Sequence, residues 1–147
     1  MTDNIFEKAN YDIDKFLRKH PESRDLTKDE IKSIKVLCDT AIKFNFGNDI
    51  LLGPGRCSTK NCIFKTTDSL WIIWEVDELN KFYEAKSFDN SLDACIAIIK
   101  KYAKKTNAEL HFLNQFFNHA ILNNSLNEFA KKTNYTYTNS KIRIRKI

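Results

Sequence analysis

Residues 70–103 read LWIIWEVDELNKFYEAKSFDNSLDACIAIIKKYA, and this stretch limits the fold more than any other. Alternation sets Leu70, Ile72, Trp74 and Val76 on one face of a strand, and Trp71, Ile73, Glu75 and Asp77 on the other. Glu78, Leu79, Asn80 and Lys81 turn the chain back into a second strand over 82–88. An amphipathic helix over 90–104 follows, with Leu92, Cys95, Ile96, Ile99 and Tyr102 on one side. Lys100, Lys101, Lys104 and Lys105 sit at its C-terminal end, where cations suit the helix dipole. Two strands joined tightly and followed by a helix predict an antiparallel sheet with a helical layer.

The rest of the chain extends that pattern. Ile5, Phe6, Ala9, Ile13, Phe16 and Leu17 have helical spacing over residues 3–19, and His20-Pro21 ends the run. Thr27 and Glu30 have capping-box spacing and Leu26 and Ile31 that of a hydrophobic staple, so a second helix starts there with the stripe Ile31, Ile34, Cys38, Ala41 and Ile42. Residues 47–61 hold all three glycines and Pro54. They predict a loop, with room for a short strand at 50–52. A strand over 62–67 completes an antiparallel meander with 70–77 and 81–87.

Two more capping boxes, Thr106 with Glu109 and Ser125 with Glu128, open C-terminal helices. The first carries Leu110, Leu113, Phe116, Phe117, Ala120 and Ile121. Residues 135–138 and 141–147 predict a terminal hairpin. The fold class expected is therefore α+β: two N-terminal helices, a small antiparallel sheet, C-terminal helices and a terminal strand or hairpin. A length of 147 residues is that of one domain, and residues 1–147 are read as one.

Composition narrows the class. Hydrophobic content of 42% with 29% charged residues belongs to a globular protein. The longest apolar run, 70–74, is far short of the roughly 20 residues that cross a bilayer, and the acidic, amphipathic start has no secretory pattern. A cytoplasmic protein with reduced cysteines is expected; Cys38, Cys57, Cys62 and Cys95 are too scattered for a disulfide framework. Residues 1–80 carry 12 basic and 14 acidic side chains, and residues 81–147 carry 12 and 5. A basic second half suits nucleic acid, an acidic partner or plain solubility.

Chemistry-bearing constellations are sparse. Gly53-Pro54-Gly55-Arg56 lacks the phosphate-loop pattern, and proline removes an amide that a phosphate would use. Cys57 and Cys62 have a zinc-like spacing without two further nearby ligands. His111 and His119 stand two turns apart on a helix, about 12 Å, too far for one metal ion or one proton relay. No catalytic set, metal site or cofactor is expected, and the protein is read as a non-enzyme.

The group that stands out is acidic. Glu75, Asp77, Glu78 and Glu84 fall in one patch if the turn is tight, with Trp71 and Ile73 on the same face. Charge around an aromatic anchor is the make-up of interface hot spots. Against this stands a solvated sheet face with Lys81 and Lys86 as cross-strand partners, the two large side chains being covered by the protein's own helices. In the tail, Tyr135, Tyr137, Lys141, Arg143, Arg145 and Lys146 interleave aromatics and cations as single-strand binders do. The same alternation, with Ile142 and Ile144 inward, is that of a charged edge strand, which is the reading preferred.

The segment WEVDELNKFYEAKSFDNSLDACIAII resembles the small immunity proteins of bacterial contact-dependent growth-inhibition and polymorphic toxin systems. The features shared are a strand ending in acidic residues, a turn, a strand ending in Phe, and a helix with an Ala-Cys apolar face. They fall here on Trp74, Glu75, Val76, Asp77, Glu78, Phe88, Asp93, Ala94 and Cys95, within residues 62–103. The usual turn glycine is Asn80 here, and the leading helices and basic tail have no counterpart. The resemblance implies a cytoplasmic, cofactor-free, non-catalytic protein that binds one cognate toxin domain, such as a nuclease. Its partner-binding residues would be Trp71, Glu75, Asp77, Glu78 and Glu84. The alternative is a small basic nucleic-acid-binding protein using Lys100, Lys101, Lys104, Lys105, Arg143, Arg145 and Lys146.

Overall fold

The structure is a computed structural model that describes residues 2–3, 13–55, 60–76, 82–102, 106–117, 135–138 and 141–144. Its elements run β1 (Thr2–Asp3), α1 (Ile13–Lys19), α2 (Lys28–Lys43), a 3-10 turn (Gly47–Asp49), β2 (Ile50–Leu52), β3 (Asn61–Lys65), β4 (Trp71–Val76), β5 (Phe82–Phe88), α3 (Ser91–Tyr102), α4 (Thr106–Phe117), β6 (Tyr135–Thr138) and β7 (Lys141–Ile144). The class is α+β. Four strands in the order β5-β4-β3-β2 form the body of the sheet, with the two-residue β1 on the outer edge of β5. β6 and β7 pair separately, and β7 runs beside α4.

The sheet is mixed, not the wholly antiparallel meander expected. β3, β4 and β5 are antiparallel, but β2 pairs parallel with β3, Ile50 opposite Asn61 and Leu52 opposite Ile63. Parallel neighbours usually need a crossover of a dozen or more residues. A strand as short as β2 relaxes that requirement, because the return path is only about 10 Å. Residues 53–60 span up to roughly 26 Å when extended. Gly53 starts the return at φ +99°, a conformation open to glycine. At Gly55 an added Cβ would fall 2.1 Å from Leu51 Cδ2.

Alternation along β4 sorts its side chains as the sequence implies, and both faces are buried. On one side Ile72 and Trp74 join Cys62 and Phe64 beneath Ile13 and Phe16 of α1. Trp74 meets the rings of Phe64 and Phe16 edge-on, at 4.8 and 5.7 Å, and its indole N–H donates to Gly55 O at 3.1 Å. On the other side Ile63, Trp71, Ile73 and Phe88 lie under α2, α3 and α4. Among the described residues no helix is long and apolar enough to cross a membrane.

Helix phases differ from the stripes read in the sequence. In α2 the buried positions are Ser33, Leu37, Thr40 and Ala41, while Ile31 and Ile42 remain 41% and 71% exposed. The small side chains explain the rotation: Ser33 lets α3 approach until Cys95 Sγ lies 3.7 Å from Ser33 O. In α3, Ala94 and Ile98 are buried beside Cys95 and Ile99, and Ile96 is only partly covered. Asn90 caps that helix by accepting from the Asp93 N–H at 2.8 Å. Thr106 is the first residue of α4, and Glu109 is buried with its carboxylate 3.8 Å from Lys100 Nζ.

The capping box on α2 is complete. Thr27 Oγ1 accepts from Glu30 N at 3.2 Å, and Glu30 Oε1 accepts from Thr27 N at 2.8 Å. The same carboxylate accepts from Lys65 Nζ at 3.0 Å and from the Trp71 indole at 2.8 Å. One side chain thus ties the start of α2 to β3 and β4. Burial pushes the Glu30 carboxyl up, but the hydrogen bonds from Thr27, Lys65 and Trp71 and the Lys65 charge outweigh it and hold it below its ordinary 4.5. A depressed carboxyl stabilises above the unfolded value and loses that contribution as pH falls through the folded one. The urea midpoints of the parent chain and Glu30→Gln are therefore expected to differ most at neutral pH and to converge below pH 4.5. A gap that does not change with pH would show that the charge is not its source.

Candidate functional site

On the helix-covered face the register stacks three rows across β3, β4 and β5. Lys65, Trp71 and Phe88 form the first, Ile63, Ile73 and Lys86 the second, and Asn61 and Glu75 the third, at the register position of Glu84. The first row is closed by Glu30 and the second is mainly apolar. The third lies where the helical layer runs out, and there the chemistry changes.

Asn61 is 1% exposed, so its amide needs partners. Its Nδ2 donates to Glu75 Oε1 at 3.1 Å and to the Tyr102 hydroxyl. Lys101 Nζ donates to Glu75 Oε1 at 2.9 Å and to Asn61 Oδ1 at 3.2 Å. Tyr102 in turn donates to Asp49 O at 3.3 Å and stacks on Phe46 with centroids 5.7 Å apart. Burial pushes the Tyr102 hydroxyl above its ordinary value, against the hydrogen bond with Asn61 and the Lys101 charge. The last turn of α3, the start of β3 and the end of β4 are locked together by one polar network.

Of the residues expected to bind a partner, Glu75 is in this network, half-buried. Glu84 stands opposite it in the register, followed by a register shift between Glu75 and Val76. Asp77 and Glu78 lie outside the described residues, as does Lys81. Trp71 is not an exposed anchor. It is 2% exposed and hydrogen-bonded to Glu30, and Ile73 is buried beside it under the protein's own helices. That covering was the competing expectation, and it supplies the partner for the bulky side chains.

Glu75 has a cation beside it, Lys101 Nζ at 2.9 Å. That cation comes from α3, and the sequence suggested Lys101 as a complement to the helix dipole or as a phosphate contact. Asn61 and Tyr102 were also missed as polar participants. Their one signal is alternation, which sets Asn61 on the face of Ile63.

Cys62 is buried in the core under α1; Cys57 and Arg56 lie outside the described residues. Burial pushes the Cys38 and Cys95 thiols up, away from the reactive thiolate. His20 Nδ1 meets Asp68 Oδ2 at 2.5 Å. His111 packs edge-on against Phe44, and burial, helped by Lys43, lowers its basicity. His119 lies outside the described residues. Among those described, no group of three His, Cys, Asp or Glu side chains could hold a metal ion. No protein-family model, curated protein or solved structure matches the chain.

Proposed function

We propose that this chain is an immunity protein: it binds a cognate toxin domain, neutralises it, and so protects the bacterium that makes both. It acts in the cytoplasm, without a cofactor and without catalysis. The observation that carries the reading is the end of the β4–β5 pairing next to the connection between the two strands. There the register sets Glu75 opposite Glu84, the ladder slips by one residue, and the sequence continues directly into Asp77 and Glu78. Like charges at opposed positions weaken an antiparallel pair, and bulges re-aim side chains and recur beside functional sites. A hairpin whose sequence groups carboxylates next to its turn is suited to a basic surface on a partner. Toxins that cut RNA or DNA hold their substrate in such a surface, and complementary charge speeds encounter and fixes partner choice.

The nucleic-acid reading gains nothing comparable. Lys100 and Lys101, two of its proposed phosphate contacts, face Glu109 and Glu75. Co-expression with the toxin domain encoded by the adjacent gene tests the proposal. The two chains are expected to co-purify as a stoichiometric complex, and deletion of this gene to make the cell sensitive to its neighbour's product. A neighbour that neither binds nor harms the deletion strain would overturn it.

A further inference from the structure

Where α4 begins, the fold buries an acid. Glu109 is 4% exposed, and its Oε1 accepts no hydrogen bond among the described residues. The charged group that faces it there is Lys100, whose Nζ stands 3.8 Å away on a side chain 68% exposed. That separation is beyond hydrogen-bond length. The other elements beside α4 are α2 and β7. Asp39 and Lys43 of α2 act on His111, two positions further along α4, and β7 carries Lys141 and Arg143. A buried carboxylate without hydrogen bonds is costly, and such a group either stays neutral or finds water.

The two sides of this corner are held unequally. On the α3 side, Lys101 bonds to Glu75, and Tyr102 bonds to Asn61 and to Asp49 O. On the α4 side, Asn107 is exposed, Ala108 is a small buried residue, and the large anchors Phe112, Leu113 and Phe116 come a turn or more later. Unwinding residues 106–109 therefore wets the carboxyl while giving up little apolar surface. Segments with few buried apolar contacts are those that open locally.

We propose that Glu109 makes the first turn of α4 a proton-controlled latch. With the carboxyl neutral the turn packs against α3; when the proton leaves to solvent the turn unwinds and carries the carboxylate into water. Burial pushes this carboxyl above its ordinary 4.5, against the pull of Lys100. A raised acid supports the closed turn fully below the ordinary value and withdraws that support as pH rises through the raised one. Glu30 works in the opposite direction on the whole fold, so the response has to be read locally. The latch is separate from the toxin reading and stands or falls without it.

Amide hydrogen exchange of the full chain tests it. The N–H groups of Leu110, His111, Phe112 and Leu113 bond back to the carbonyls of residues 106–109, so their protection reports the first turn. Corrected for intrinsic exchange, that protection is expected to fall by about threefold or more from pH 4.5 to neutrality. The amides of Ile98 and Ile99 in α3 should not follow it. Glu109→Gln keeps the shape without the charge and should hold the turn closed at every pH. Lys100→Met removes the facing cation from an exposed side chain and should deepen the fall by about twofold or more. Equal protection at the two pH values, a fall that survives in Glu109→Gln, or one that Lys100→Met leaves unaltered would each overturn the proposal.

Discussion

Replacing Trp74 by alanine is expected to remove about 3–5 kcal/mol of stability, the largest loss anticipated for any single substitution considered. The side chain is fully buried, and it is the piece on which two aromatic contacts converge: Phe64 from β3 and Phe16 from α1. Truncation leaves a cavity that a sheet on one side and a short helix on the other cannot close. It also leaves Gly55 O without the indole donor. Because small domains are stable by only about 5–15 kcal/mol, the variant should sit near the edge of unfolding. Trp74→Phe keeps most of the packing and should lose about 1–2 kcal/mol, chiefly the hydrogen bond and part of the ring. Ile42→Ala, at an exposed position of α2, should stay within about 0.5 kcal/mol of the parent. Urea unfolding followed by circular dichroism orders the three. A loss below about 1 kcal/mol for Trp74→Ala would mean that α1 does not seal that face of the sheet.

That two-sided burial was legible in residues 70–74, but not through alternation. Alternation says which side chains share a face, and β4 obeys it. What it omits is whether the second face is wet. A continuous apolar run is the mark of a strand covered on both sides, and LWIIW is such a run. Reading Trp71 as an anchor for a partner gave the neighbouring carboxylates more weight than the run itself.

The phase of α2 was hidden for a different reason. Hydrophobicity points to Ile31 and Ile42, but close helix approach is set by small residues, and Ser33 and Thr40 took the inward positions. Local signals with a fixed geometry fared best: the Thr27–Glu30 box is complete to both hydrogen bonds. Long-range pairings fared worst. Nothing in residues 50–52 announces a parallel neighbour, and nothing in Lys101 announces Glu75, 26 positions earlier.

Reversing two charges on the hairpin, Asp77→Lys with Glu78→Lys, is expected to weaken toxin binding by tenfold to a hundredfold, about 1.4–2.7 kcal/mol. These residues follow β4 directly and continue the acidic run from Glu75. Glu75 is itself a poor choice for the test, because its carboxylate holds Asn61 and Lys101 in place. Its removal would disturb the end of α3 along with any interface. The reversed pair should leave the urea midpoint unchanged. The loss of affinity should lie mostly in the association rate and should shrink as salt rises, since rim charges act by steering encounter. The informative comparison is Lys100→Glu. If the partner surface is basic, that variant should bind as well as the parent or better. If Lys100→Glu abolishes binding while the hairpin variant binds normally, the toxin meets the protein through its cationic side, and the acidic hairpin has another use.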